Sequence, residues 1–194
     1  MLKQPLNGAG VVVRWDAGRD LGFSFGGQTT HGWDKDLLSE PFVIGEMDYH
    51  STRLIEGNYR LWVRVRSLET NHKRQMYAGG VSIDQLLTPQ LGVFVRAGVN
   101  QIESVHRTFY AASAGLRWTG PLWNRPRDRL GAGYSFQREV PGDEQVAEVY
   151  YNLFLTDHLW VIGNVEWLIH GPNQVTGRTN TNVVIPGLRA TVVF

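Results

Sequence analysis

The chain contains no cysteine. That removes disulfides, thiolate metal sites and cysteine nucleophiles in one step. It also lacks any run approaching the ~18 consecutive apolar residues that mark a transmembrane helix. A helical membrane protein is thereby excluded. Charge of one sign is missing too: 19 Lys and Arg against 18 Asp and Glu leave a net charge of +1. No global field argues for nucleic acid as a partner. The start, Met1-Leu2-Lys3-Gln4-Pro5-Leu6-Asn7-Gly8, carries no apolar signal core and no cleavage site. For an exported protein this predicts either an artificial start or a fragment of something longer.

Catalytic motifs are equally scarce. His31, His50, His72, His106, His158 and His170 are scattered, with no HExxH and no pair at ligand spacing. Gly8-Ala9-Gly10 precedes a strand pattern, so it is no phosphate loop at a helix start. There is no GxSxG. Asp34, Asp36 and Glu40 could face a calcium ion, but the EF-hand spacing is absent and a solvated acidic loop accounts for them. The expectation is no enzyme, no cofactor and no metal.

Glycine (22), tryptophan (7) and tyrosine (7) are plentiful. The dominant pattern has period 2, the signature of β-strands. From Leu91 to Val99 every odd position is apolar, while the even ones are Gly92, Phe94, Arg96 and Gly98. From Tyr59 to Arg66, Tyr59, Leu61, Val63 and Val65 share one face and Arg60, Trp62, Arg64 and Arg66 the other. The alternation predicts about eleven strands, at 10–17, 20–27, 41–50, 57–67, 76–86, 90–100, 108–119, 129–138, 146–156, 159–169 and 183–194. Short connections (17–20, 87–90, 156–158) alternate with longer polar ones (28–40, 68–75, 101–107, 139–145, 170–182). Residues 120–128 are long at an expected short end. Short turns on one side and long loops on the other are the asymmetry of an outer-membrane barrel. No linker, low-complexity tract or charge block interrupts the chain, which reads as one domain over 1–194.

Three features orient the apolar stripe toward lipid rather than toward a soluble core. Trp15, Tyr49, Tyr59, Tyr77, Tyr110, Trp118, Tyr134 and Trp167 sit near stripe ends, where interfacial girdles place amphipathic rings. The last strand is amphipathic, with Pro186, Leu188, Ala190, Val192 and Phe194 on one face and Arg189 and Thr191 on the other. Its terminal Phe194 resembles the signal that such barrels present to their assembly machinery. Strand interiors carry Gly79, Gly80, Ala111, Ala112, Ser113, Ala114, Gly115, Gly131 and Gly133. A dry core of such small residues would be under-packed. Two other readings compete: a soluble β-sandwich or small barrel that binds sugar, and an outer-membrane barrel that hydrolyses lipid.

Several stretches, in order, resemble the carbohydrate-selective porins of the OprB type. They are Gly57 to Trp62, Gly79 to Arg96, Ser113 to Arg117, Asp128 to Tyr134, Glu148 to Asn152 through Leu155-Thr156-Asp157, and Val183 to Arg189. The resemblance covers roughly residues 10–194 and is carried by the order and spacing of the motifs. It implies an all-β, antiparallel transmembrane β-barrel of sixteen strands, of which this chain would supply the C-terminal portion. It implies passive diffusion of sugars and other small polar solutes across the bacterial outer membrane. The partners are then solute, the lipid bilayer and the assembly machinery, with a homo-oligomer left open.

With the apolar stripe outward, the lumen face collects Arg14, Arg60, Arg64, Arg66, Arg96, Arg117 and Arg189. It also collects Asp16, Glu46, Asp48, Asp84, Glu148 and Glu166, with Trp62, Phe94 and Tyr150 among them. Guanidinium and carboxylate groups hydrogen-bond hydroxyls, and aromatic faces accept the C–H side of a pyranose. An Arg or Lys facing lipid at mid-depth costs about 2–4 kcal/mol, which places these charges inward.

Overall fold

The computed structural model describes residues 10–29, 41–52, 55–67, 75–103, 107–120, 125–138, 142–172 and 179–193. Eleven strands form one antiparallel sheet in sequence order. They are β1 (Gly10–Asp16), β2 (Leu21–Thr29), β3 (Pro41–Ser51), β4 (Gly57–Ser67), β5 (Gln75–Leu86), β6 (Leu91–Ile102), β7 (Arg107–Thr119), β8 (Arg129–Arg138), β9 (Asp143–Phe154), β10 (Leu159–Pro172) and β11 (Thr179–Val192). No described helix is long and apolar enough to cross a membrane.

All eleven expected strands are present. Their ends depart from expectation where polar residues continue the ladder. Residues 143–145, expected in a loop, begin β9, because Asp143, Glu144 and Gln145 pair with Arg138, Gln137 and Phe136. Likewise 170–172 and 179–182 extend β10 and β11, and Pro172 stands opposite Thr179. Backbone pairing does not need an apolar side chain, so the ladder outruns the stripe. The other long connections fall mostly outside the described residues, as do Asp34, Asp36, Glu40 and Phe194.

The short connections close as compact turns. Ala17 N–H donates to Leu21 O at 2.8 Å, and Gly18 takes a positive φ of 98°, which glycine adopts without steric cost. At 87–90 the Thr88 hydroxyl accepts from the Leu91 N–H at 2.9 Å and the Gln90 N–H at 3.3 Å. The Thr156 hydroxyl accepts from His158 N–H in the same way at 3.1 Å.

Two compact units are present. One comprises Met1–Ser51, Asn58–Ser82 and Gly98–Phe109, the other Thr52–Gly57, Ile83–Ala97 and Tyr110–Phe194. In the first, β2 lies between β1 and β3. Trp15, Phe23 and Met47 share one row, and Arg14, Ser24 and Glu46 the row on the opposite face. In the second, β7 to β11 give three apolar rows. These are Ala114–Tyr134–Ala147–Trp167–Val184, Leu116–Ala132–Val149–Val165–Pro186 and Trp118–Leu130–Tyr151–Gly163–Leu188. Along β10 the apolar positions run from Leu159 to Trp167, roughly 27 Å of strand. A tilt near 40° turns this into roughly 20 Å of depth, most of an outer-membrane apolar band.

Burial is inverted relative to a soluble sheet. Among the described residues the buried hydrophobic core is Met76 and Ala78 alone, and no large side chain is fully buried. Along β4, Leu61, Val63 and Val65 are exposed, Val63 to 59%, while Trp62, Arg64 and Arg66 are half-buried. A soluble sandwich requires the reverse. Of the eight rings expected near stripe ends, all but Tyr59 are exposed. Trp15 stacks on Phe23 at 5.5 Å, and Tyr49 meets Tyr59 at 6.0 Å.

Candidate functional site: the polar face of the sheet

Strand periodicity sends every second side chain to the face opposite the apolar rows. Besides Arg14 and Asp16 on β1, fourteen charged or aromatic residues expected on the lumen face lie on described strands: Glu46, Asp48, Arg60, Trp62, Arg64, Arg66, Asp84, Phe94, Arg96, Arg117, Glu148, Tyr150, Glu166 and Arg189. Where the register is given, they share the polar face. One row in the second unit is Arg117–Gly131–Tyr150–Asn164–Gly187, and the next is Gly115–Gly133–Glu148–Glu166–Ile185.

In the first unit Arg14 clamps Asp48 with both terminal nitrogens, each at 3.0 Å, and reaches Asp16 through Nε at 2.8 Å. Gly22 leaves room for the clamp, since a Cβ there would stand 2.5 Å from the Arg14 guanidinium. Arg64 lies over the Trp62 ring at 5.4 Å. Arg60, Arg64 and Arg66 form no ion pair with any described residue, and the Nε atoms of Arg64 and Arg66 are buried without a described partner.

In the second unit Arg96 repeats the motif over Phe94 at 5.0 Å and meets Asp84 at 3.4 Å. Glu148 and Glu166 stand directly opposite each other across β9 and β10. Like charges so placed repel. The Asn164 amide offsets this by donating to both, at 2.9 Å to Glu148 and 3.1 Å to Glu166. Arg117 and Arg189 form no ion pair among the described residues.

Sequence reasoning missed Asn164. It also missed a polar knot at the turn end of the sheet. Asp128 is 2% exposed. Its Oδ2 accepts from Tyr151 O–H at 2.6 Å and Arg125 Nε at 2.5 Å, and its Oδ1 accepts from Phe154 N–H at 3.0 Å. Arg125 also donates to Phe154 O at 2.8 Å. Burial, the largest single influence, pushes the Asp128 carboxyl up. The Tyr151, Phe154 and Arg125 donors together outweigh it and hold the carboxyl below the usual aspartate range. Gly120, at φ 122°, donates to Asp128 O at 3.2 Å and closes the base of 120–128. Asp128 opens the stretch Asp128 to Tyr134 noted in the sequence for its resemblance, which did not reveal these partners.

No group of three or more metal-ligating side chains occurs among the described residues. His50 bonds the Asn58 side chain at 2.8 Å. His106 lies outside the described residues, and His158 is an exposed turn residue.

An antiparallel sheet with an exposed apolar face and a charged opposite face is the wall of a membrane β-barrel. The family model of the carbohydrate-selective porins, OprB family, matches residues 57–194, well over half of the chain. The chain belongs to that family. Two solved structures share the fold. The low-pH structure of Pseudomonas putida OprB superposes with a TM-score of 0.69 at 17% identity, over 94% of this chain and 54% of that one. The high-pH structure of the same protein gives 0.73 at 14% identity, over 94% and 58%. The chain thus spans little more than half the length of these proteins. No curated protein sequence is significantly similar to it.

Proposed function

We propose that this chain forms part of the wall of an outer-membrane porin through which sugars and other small polar solutes diffuse passively. The observation that carries the reading is the inversion of burial. Exposed apolar rows suit lipid, and a half-covered face of guanidinium, carboxylate, amide and aromatic groups suits a wet lumen. The fourteen polar-face residues then line the solute path, within a single barrel domain in the bacterial outer membrane. No catalytic step is assigned, because diffusion requires only a wet path of adequate bore. Selectivity comes from rings of charge and from aromatic faces along that path.

Reconstitution tests this. Purified protein that migrates faster unheated than heated should give stepwise conductance in planar bilayers and let liposomes swell in monosaccharide. Protein that stays monodisperse without detergent, or folds in micelles yet neither conducts nor swells liposomes, would rule the porin reading out.

A further inference from the structure

Trp62, Phe94 and Tyr150 lie on the polar face, and each rests beside glycine. A Cβ at Gly131 would collide with the Tyr150 ring and its hydroxyl. A Cβ at Gly115 would stand 2.5 and 2.7 Å from Cε1 and Cζ of Phe94, and one at Gly133 would touch the same ring at an ordinary 3.5 Å. A Cβ at Gly98 would sit 3.6 Å from Cζ2 of Trp62. Real Cβ atoms do not approach to 2.5 Å, so Gly131 and Gly115 are required by the ring positions. The opposite face of the same two strands carries Leu116, Trp118, Leu130 and Ala132. The missing side chains are therefore confined to the places where rings lie. Glycine inside a strand weakens it and often marks close approach by another group. Here that group is an aromatic ring.

We propose that Gly131 and Gly115 are positioning residues that hold Tyr150 and Phe94 against the wall, making each ring a stacking platform for a neutral pyranose. This rests on the porin reading, under which the polar face is the lumen. A ring seated across a glycine has one side on the wall and leaves the bore open. The other side of Tyr150 meets the C–H face of a sugar, whereas over Phe94 the Arg96 guanidinium, 5.0 Å from the ring centroid, has to swing aside for the sugar. The rims supply the partners for hydroxyls. Beside Tyr150 are Glu148, two positions along β9, and Asn164, directly opposite on β10. Beside Phe94 are Arg96 and Asp84. The paired carboxylates at the Tyr150 platform disfavour anionic sugars there.

The test uses Gly131, because the three atoms nearest a methyl group there all belong to the far end of Tyr150, whereas at Gly115 it would also meet the Ala132 carbonyl at 2.5 Å. Single-channel conductance and its block by glucose are measured for wild type, G131A, Y150A, G131A/Y150A and G133A. G131A should lift the ring into the bore, lowering conductance and weakening glucose block by about 2- to 10-fold, the worth of one aromatic contact. Y150A should weaken block similarly but raise conductance. G131A/Y150A should match Y150A, since the three closest contacts of the methyl are then gone, and G133A should match wild type. If G131A fails to fold while the double variant folds, the same conflict is reported by stability. Additive effects, a G131A channel identical to wild type, or loss of folding in both overturn the proposal. Wild-type block retained in Y150A overturns the platform but leaves the porin reading standing. A folded wild-type protein that does not conduct overturns both.

Discussion

Replacing Asp128 by asparagine separates a buried anchor from an ordinary turn residue. The Asn side chain keeps an oxygen for the Phe154 N–H. Its new NH2 group replaces the oxygen that accepts from Tyr151 and Arg125. The Tyr151 hydroxyl can turn and become the acceptor, but the Arg125 N–H cannot. One charge-assisted hydrogen bond is lost, worth about 1.5–3 kcal/mol. Arg125 is 40% exposed and recovers part of that from water, so the lower end applies. The expected loss at neutral pH is about 1.5–2 kcal/mol. Alanine removes all three acceptor contacts and should cost about 3–5 kcal/mol. The pH dependence has a definite sign. Because the folded carboxyl is held below its unfolded value, its contribution is complete above the unfolded value and is lost as pH falls through the folded one. The gap between wild type and D128N should therefore be full at pH 7 and close in the acid range below ordinary aspartate titration. Urea unfolding in lipid vesicles, followed by tryptophan fluorescence from pH 7 downward, measures both. Equal stabilities at pH 7, or a gap that stays constant or widens in acid, would refute the assignment.

The two faces and the lumen charges give the remaining expectations. Val149 lies between Ala132 and Val165 in the middle apolar row. V149R should destabilise by about 2–4 kcal/mol and lower outer-membrane yield, whereas S135R on the polar face should assemble normally; equal yields would contradict the orientation. Removing either opposed carboxylate, E148Q or E166Q, should shift the zero-current potential in a salt gradient toward anion preference, and an unchanged potential in both would place this pair away from the ion path.

Strand identity and face were legible because one feature, period 2, encodes both. Leu61, Val63 and Val65 against Trp62, Arg64 and Arg66 suffice to fix β4 and its orientation. Strand ends were not legible, because Asp143 to Gln145 pair by backbone and carry no apolar mark. The turn at 120–128 looked anomalous for a related reason. Its organising contacts come from Tyr151 and Phe154, 23 and 26 residues away, and nothing local announces them. Asn164 was passed over as a neutral amide. Its role exists only once the register sets Glu148 opposite Glu166. Gly131 was read as a small residue without a core to fill, but it is buried under a ring that belongs to the neighbouring strand.

The opposed glutamates also indicate where stability and selectivity reside. In a soluble sheet a like-charge pair directly across two strands weakens the pairing, and packing on the other face has to offset it. Here the ladder of β9 and β10 continues unbroken through the pair, and the same strands carry Val149 opposite Val165 and Ala147 opposite Trp167 on the apolar face. Backbone bonds and lipid-facing rows are thus independent of what the polar face carries. Asn164 needs only to moderate a repulsion that water already screens. A wall built this way can exchange lumen residues at small stability cost while its outer rows stay fixed. Under the proposed porin reading, the Glu148–Asn164–Glu166 group and the rings on glycine act on solute, and the pairing of β9 with β10 does not depend on them.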